Sequence, residues 1–330
     1  MLEVNKRADV TGPALAGLRA RRGLTWRPSG RVLLVEALLV IVALFFLVPF
    51  AWLVSMSLKP EAQVFSTSLI WIPHPVMWSN YLGAINEFPF VRYFINTMIV
   101  CTFVVIGSTA SSSFVAYGFA RVQWPGRDLL FIVVLATLIL PVQVVLIPQF
   151  LLFRSLGWVN TYLPLIVPTF FGNAFFIFLF RQFYLGLPSE LADAARIDGC
   201  NELNIYLRII LPLSRPVLAT AAIFSFIGAW SDFLGPLIYL NDASKYTLSI
   251  GVQQVIGQSP HWTQLMAVGV VMTLPILVLF FFVQRTFIRA SVFLVSRAEC
   301  VRRSLSESGV FHLDQRTPPP LSCAGEEVGG

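Results

Sequence analysis

Charged residues are scarce in this sequence. Of its 330 residues only 12% are Asp, Glu, Lys or Arg, whereas 56% are hydrophobic, and the mean hydropathy is +0.75. A soluble globular domain carries about 25% charged residues, so this composition excludes an ordinary water-soluble protein. It indicates a polytopic membrane protein. The number of membrane spans, each of ~20 apolar residues, therefore describes its length better than the number of soluble domains does.

Residues that bind metals or perform acid-base catalysis are also scarce. The sequence has three histidines and four cysteines. No histidine is paired with a carboxylate at the helical spacing of a metal site, and the cysteines lack the spacing of a zinc site. A glycine-rich phosphate loop of the Walker type is missing as well. We therefore expect no catalytic residue, no metal site, no disulfide and no nucleotide hydrolysis in this chain.

Six apolar runs are long enough to cross a bilayer. The first run is longer than the ~7–15-residue core of a cleaved signal peptide, so we interpret it as a retained span. The sequence predicts an all-α membrane protein with a membrane domain over 32–289. A basic tail precedes it (1–31), and a tail rich in Ser, Pro and Gly, expected to be disordered, follows it (290–330). The predicted spans are about 32–56, 94–120, 129–153, 162–183, 217–240 and 265–287.

Positive charges are unevenly distributed between the loops. Of the 23 Lys and Arg residues, all but four fall in the two tails and in the second and fourth loops; the exceptions are Lys59, Arg92, Arg154 and Lys245. The positive-inside rule then places both termini in the cytoplasm. Because the basic residues form no stripe with stacking aromatics, contact with anionic lipid is expected and binding to nucleic acid is not.

A polar stretch, SELADAARIDGCNELNIYLRIILP (189–212), lies between the fourth and fifth spans. Ser189 is a suitable N-cap for a short helix that runs to about Asp198. Gly199 can end that helix in a left-handed conformation, and Asn201 can cap a second helix. The sequence thus predicts two short helices on the cytoplasmic side.

The residue pattern of these two helices indicates what each one contacts. Asp193 and Arg196 can pair at i, i+3, and four carboxylates with one arginine between 190 and 202 suit a protein partner better than anionic lipid. Pro212 and Pro216 close the segment. The predicted apolar faces are Leu191, Ala194 and Ala195 in the first helix, and Leu203, Tyr206, Leu207 and Ile210 in the second.

Broken spans supply candidates for a polar pathway. Glycine and proline interrupt several spans, and transport proteins use such breaks where backbone lines a cavity. Asp232 lies within a span, where a carboxylate is costly and is either structurally paired or functional; both interpretations stay open. The pathway candidates are Gly172, Asn173, Trp230 and Asp232.

The pattern DAA, three residues, G, nine residues, I, one residue, LP in this segment resembles the EAA signature of the membrane subunits of binding-protein-dependent ABC importers. The departure is Asp193, which stands where the family usually has Glu. The resemblance extends over about 34–289 and is similar to the carbohydrate-uptake branch, as in FINTMIV and KYTLSIGV. The matching residues are Asp193, Ala194, Ala195, Gly199, Ile209, Leu211 and Pro212.

This resemblance implies a type I ABC importer permease in a bacterial or archaeal cell membrane, forming half of a pathway for a sugar or oligosaccharide. The implied partners are a second permease, two ABC ATPase subunits that bind ATP and Mg, and an extracytoplasmic sugar-binding protein. The chain would need no cofactor of its own and would not be an enzyme. The residues implied to couple it to the ATPase are Asp193, Ala194, Ala195, Gly199, Leu211 and Pro212.

A second hypothesis is an ion-coupled secondary transporter in which Asp232 binds a proton or sodium ion. Such a protein would transport its solute alone and without ATP. A membrane-embedded enzyme ranks behind both, since no catalytic group of residues is present. The sequence does not identify the sugar.

Overall fold

The computed structural model describes residues 30–66, 70–258, 261–282 and 284. The C-terminal tail and most of the N-terminal tail named above lie outside these residues. Contacts divide the chain into two units, Met1–Trp52 and Leu53–Gly330. The described residues are mostly helical and include no β-strand, which confirms the predicted all-α class.

Helices of very different length make up the fold. Short 3₁₀ segments lie at Glu61–Gln63, Thr137–Ile139, Val167–Phe171 and Ala243–Lys245, and a π-helical turn lies at Tyr206–Ile210. In chain order the helices are α1 (Gly30–Ser57), α2 (Ser79–Asn86), α3 (Phe90–Ala120), α4 (Arg127–Ala136), α5 (Val142–Ser155), α6 (Leu163–Ile166), α7 (Ala174–Leu185), α8 (Glu190–Ile197), α9 (Glu202–Ile205), α10 (Leu211–Leu213), α11 (Arg215–Ser231), α12 (Leu234–Tyr239), α13 (Leu248–Gln258) and α14 (Trp262–Phe282).

Four helical stretches of the described chain are long and apolar enough to cross a membrane, and the number reaches six if each of two bent pairs is one span. The first bent pair corresponds to the predicted span 129–153, whereas the second joins part of the polar segment 189–212 to the first part of the predicted span 217–240. The four stretches are Leu33–Ser57, Phe90–Ala120, Leu163–Leu185 and Trp262–Phe282; the bent pairs are Arg127–Ile139 with Val142–Ser155 (99°) and Glu202–Leu213 with Arg215–Ser231 (79°).

Proline and a side-chain cap explain where the predicted straight spans fail. Between α4 and α5, Leu140 and Pro141 are extended, because proline lacks an N–H and disfavours helix in the residue before it. The predicted span 217–240 is interrupted after Ser231. There Asp232 is extended and its Oδ1 accepts a hydrogen bond from the Gly235 N–H at 3.1 Å, so a new short helix, α12, begins.

The long helix α3 is the centre of the second unit, since α7 and α11 both pack along it. Its buried face carries small residues, which allow close approach of neighbouring helices in a membrane protein. Ser108 Oγ lies 2.7 Å from Ser225 Oγ of α11. The buried small residues of α3 are Gly107, Ser108, Ser112, Ser113 and Ala116.

Gly107 is the position of closest approach. A Cβ there would lie 2.6 Å from the Phe170 ring and 2.7 Å from Thr169 Oγ1, whereas a Cβ at Gly118 of the same helix meets nothing within 4 Å. We expect Gly107→Leu to cost about 1–3 kcal/mol through overpacking and Gly118→Leu to cost little. Thermal unfolding of the full-length chain in detergent measures both; equal melting temperatures for the two variants would contradict this packing.

Candidate functional site

The short helix α8 has one face packed into the protein and one face exposed. Ala192 and Ala195 are 2% and 6% exposed, whereas Leu191 and Ile197 are 42% and 87% exposed. The predicted apolar face is therefore only partly right: Ala195 is buried, but Leu191 and Ala194 are exposed. The buried positions are the two that face the core beneath the helix, and alanine at both of them lets the helix lie directly on that core.

The predicted side-chain cap at the start of α8 was wrong, and the predicted end of this helix was correct. Ser189 makes no side-chain cap and already has helical dihedral angles, φ −70° and ψ −31°; an N-cap needs an extended backbone to turn its hydroxyl toward the helix, so that prediction was wrong. The C-terminal end is confirmed. Gly199 has φ +82°, its N–H donates to Arg196 O at 3.0 Å, and the Cys200 N–H donates to Ala195 O at 2.9 Å, the bond pair of a Schellman motif.

The second helix begins as predicted and then departs from α-helical periodicity. Asn201 Oδ1 accepts from the Asn204 N–H at 2.8 Å, which confirms the cap. Of the predicted apolar stripe, Tyr206 and Ile210 are buried but Leu203 and Leu207 are exposed. The π-helical turn Tyr206–Ile210 changes the repeat, so that Ile205 and Ile210, five residues apart, are both fully buried.

Arg196 connects the two helices to each other and, through Glu202, to α3. Its guanidinium lies 2.7 Å from Asp193 and 2.8 Å from Glu202, and the Tyr117 hydroxyl donates to Glu202 Oε2 at 2.6 Å. The predicted Asp193 pair is thus confirmed, while Tyr117 was missed. Arginine stays protonated in proteins, and the hydrogen bond with Glu202 raises the pKa of Arg196 further. Exposed ion pairs contribute only about 0–1 kcal/mol, and the main effect of this network is orientation.

A buried hydroxyl cluster joins the same segment to α3 and α7. Ser113 Oγ lies 2.6 Å from the Tyr184 hydroxyl and 2.9 Å from the Tyr206 hydroxyl. Arg121, next after α3, donates to the carbonyl oxygens of Tyr184 and Leu187 at the end of α7, where a cation also complements the helix dipole. These contacts join residues far apart in sequence, and no local pattern marks them.

Leu211 and Pro212 begin the short helix α10 that leads into α11. Pro212 occupies its first turn, where a missing N–H has no consequence. Leu211 packs, partly buried, against the core cluster that also contains Ala192, Ala195 and Tyr206. The segment 189–212 therefore lies on a base that is continuous with the membrane helices.

Gly172, Asn173 and Trp230 each have a role in the local structure. Gly172 has φ +89° at the break before α7, and Asn173 caps α7, its Oδ1 accepting from Phe175 N at 3.0 Å and Phe176 N at 3.3 Å. Trp230 is 1% exposed, and its Nε1 donates to Met272 O at 3.1 Å. A part for these residues in a pathway stays a prediction.

Asp232 lines a cavity of about 290 Å³ together with Thr97, Thr169, Gly228 and Thr247. The other three candidates do not line it, so the structure does not bring the four together. Within the described residues no group of three or more His, Cys, Asp or Glu could hold a metal ion. The cavity thus offers one carboxylate and several hydroxyls.

The described chain thus combines helices that are long and apolar enough to cross a membrane with a two-helix segment that packs on the same core. Residues 108–291 match the family described as "Binding-protein-dependent transport system inner membrane component", and the chain belongs to this family. It is a membrane permease component of an importer and not an enzyme, as the EAA resemblance predicted. The comparisons give the ion-coupled alternative no support.

Curated relatives cover most of the chain. The arabinooligosaccharides transport system permease protein AraQ of Halalkalibacterium halodurans is 35% identical over 251 residues, 75% of this chain and 90% of that protein. The sn-glycerol-3-phosphate permease UgpE of Yersinia pestis is 33% identical over 241 residues, 70% and 85% of the two chains. The polygalacturonan/rhamnogalacturonan permease YtcP of Bacillus subtilis is 32% identical over 286 residues, 79% and 96%.

A solved structure shares the fold. A chain of a bacterial ABC transporter that imports the acidic polysaccharide alginate aligns with a TM-score of 0.67 and 24% sequence identity, covering 77% of this chain and 95% of that one. This confirms the predicted importer permease fold for the helical region.

The left-handed residue Gly199 gives a test of the local structure. A Cβ at Gly199 meets no atom within 4 Å, so a substitution affects backbone strain alone. We expect Gly199→Val to destabilise the turn by about 1–2 kcal/mol, and Gly199→Asn to be tolerated because asparagine adopts this conformation readily. Amide exchange of peptides covering 189–212 should be faster in the valine variant; unchanged exchange there would contradict the assigned turn.

Proposed function

We propose that this chain forms half of the translocation pathway of an ATP-driven sugar importer and that 189–212 couples it to the ATPase. The observation that carries the proposal is the arrangement of α8, which packs Ala192 and Ala195 into the core while Leu191 and Ile197 are exposed. A short helix that is anchored on one side, and that exposes two aliphatic side chains among charged ones on the other, suits docking into a groove of a protein partner.

Force applied to α8 would reach the membrane helices through two sets of contacts. The first is Arg196, Glu202 and Tyr117; the second is the hydroxyl cluster of Ser113 and Tyr184 with Tyr206. The first set reaches α3, and the second joins α3 to α7. A displacement of α8 would therefore move α3 and α7 together, the kind of packed-element shift that switches a transporter between inward-open and outward-open states.

The residues of the EAA pattern then have different roles in this arrangement. Asp193 and Ala194 are exposed and would face the ATPase, whereas Ala195 anchors the helix. Gly199 makes the turn that returns the chain to the core, and Leu211 with Pro212 begins the path back into the membrane. The pattern thus combines docking, turning and anchoring.

The names of the relatives support a sugar or oligosaccharide as solute, since AraQ and YtcP are permeases for arabinooligosaccharides and for polygalacturonan or rhamnogalacturonan. The charge distribution supports cytoplasmic termini in a bacterial or archaeal cell membrane. The assembly would add a second permease, two ATPase subunits that bind ATP and Mg, and an extracytoplasmic sugar-binding protein.

Ile197 tests the docking surface, because it contacts the core least. We expect Ile197→Gln to reduce the amount of ATPase that co-purifies with the chain, since burying an isoleucine at an interface contributes about 1.5–3 kcal/mol. The matched control is Ile72→Gln, at a residue that is 70% exposed in a predicted outer loop. Equal retention of the ATPase by both variants would exclude α8 as the docking helix.

Asp193 tests the charge of the motif. Asp193→Lys removes the ion pair with Arg196 and replaces it with two like charges, which together cost the helix about 0.4–1 kcal/mol. Folding should therefore survive while ATPase retention and ATP hydrolysis by the purified complex fall. Asp193→Glu introduces the residue that the family usually has at this position. ATPase retention and ATP hydrolysis should then both match those of the unmodified chain. If the lysine variant behaves like the glutamate variant, Asp193 has no part in coupling.

A further inference from the structure

A cavity of about 340 Å³ lies at the end of α11 that is remote from 189–212. It is lined by α12, the chain that follows it and one face of α13. At 1.5 Å per residue, the 17 residues of α11 separate it from the coupling segment by about 25 Å, close to the thickness of a membrane core. With cytoplasmic termini, the cavity therefore lies toward the outer side.

The lining of this outer cavity combines aromatic rings with side-chain amides. Phe233 and Tyr246 supply the rings, and Asn241, Gln253 and Gln254 supply the amides, next to Leu and Ile side chains. None of the three amide side chains hydrogen-bonds to another described residue. Each amide therefore keeps its donors and its acceptor for a ligand.

The cavity wall that carries Tyr246 is held in place by α3. Asn96 Nδ2 donates to Tyr246 O at 2.9 Å, and Thr97 Oγ1 accepts from the Leu248 N–H at 2.8 Å. The Tyr246 ring also meets the Tyr93 ring edge-on, with centroids 6.1 Å apart. The ring is thus positioned before any ligand arrives, which lowers the entropic cost of binding.

Asn160 fixes the part of the wall that carries Asn241. Its Oδ1 accepts from the N–H groups of Asn241 at 3.2 Å and Asp242 at 3.1 Å, and its own N–H donates to Tyr239 O at 2.7 Å. Asn160 adopts φ +62° to do so, a conformation that asparagine tolerates.

Among the described residues that line the outer cavity there is no charged side chain. The neighbouring charges have other contacts: Asp242 Oδ1 accepts from the Ser244 N–H at 2.9 Å, and Lys245 Nζ donates to Asn160 O at 2.8 Å. An anionic ligand would thus find no cation in the lining to offset its desolvation. Rings, amides and absence of charge together suit a neutral polyhydroxylated ligand.

We infer that the outer cavity is a subsite for one or two residues of a neutral sugar chain. Sugar rings lie with their C–H faces on Phe233 or Tyr246, and sugar hydroxyls hydrogen-bond to Asn241, Gln253 and Gln254. The cavity volume is at the small end of the ~300–1,000 Å³ range of ligand pockets, so the cavity can hold only one or two sugar residues. This inference rests on the proposed sugar import and adds to it a neutral solute and a direct contact by this chain.

Ligand-detected saturation-transfer NMR on the full-length chain in lipid nanodiscs tests the subsite, with arabinotriose, maltotriose and sn-glycerol-3-phosphate as probes. We expect signals from at least one neutral trisaccharide and none from the glycerol phosphate. Gln253→Leu and Gln254→Leu should each weaken binding by about 2- to 12-fold, the effect of one lost hydrogen bond. The matched control, Gln182→Leu, changes an exposed amide of α7 outside the cavity and should bind like the unmodified chain.

Three results would overturn the subsite: no signal from either trisaccharide, equal binding by the cavity variants and the Gln182→Leu control, or equal binding of glycerol phosphate. Co-purification of the ATPase with the unmodified chain is measured in parallel. If the ATPase is retained and sugar binding is unaffected by the cavity variants, only the subsite fails; if no ATPase is retained, the proposed import function fails.

Discussion

The attachment of the segment 189–212 to α3 is the contact on which the rest of the structure depends. Two alanines of α8 and the isoleucines at 205 and 210 enter the same core as Tyr184 and Tyr206, and Ser113 of α3 contacts both tyrosine hydroxyls. Small side chains on both surfaces make this close packing possible. Without it the polar segment would be an isolated pair of helices too short to be stable in water.

Composition and motif spacing were sufficient for the fold class and for the location of the segment. Apolar runs and turn chemistry predicted the four continuous spans, the Gly199 turn and the Asn201 cap, because each depends on residues within a few positions of one another. The EAA spacing also predicted the family. These features are local, and the hydrophobic effect and backbone sterics determine them before any tertiary contact forms.

Features that depend on distant residues could not be predicted. The shape of the core beneath α8 determines which face of this helix is buried. The π-helical turn interrupts the regular α-helical periodicity that the sequence predicts for the second helix. Tyr117 and Ser113 contact the segment, and Arg121 contacts the chain at the end of α7, from positions with no sequence signal. Likewise, the amides of the outer cavity come from α13 and the chain before it, and only the fold shows that they share a surface with Phe233.

The length of α3 limits how this protein can be divided into modules. One end of this single 31-residue helix carries Tyr117, which bonds the coupling segment, and the other carries Asn96 and Thr97, which hold the wall of the outer cavity. The two ends belong to one rigid rod about 46 Å long. A chimera that exchanges the outer region with that of a relative must therefore exchange α3 as well, or the transplanted wall will lose the residues that support it.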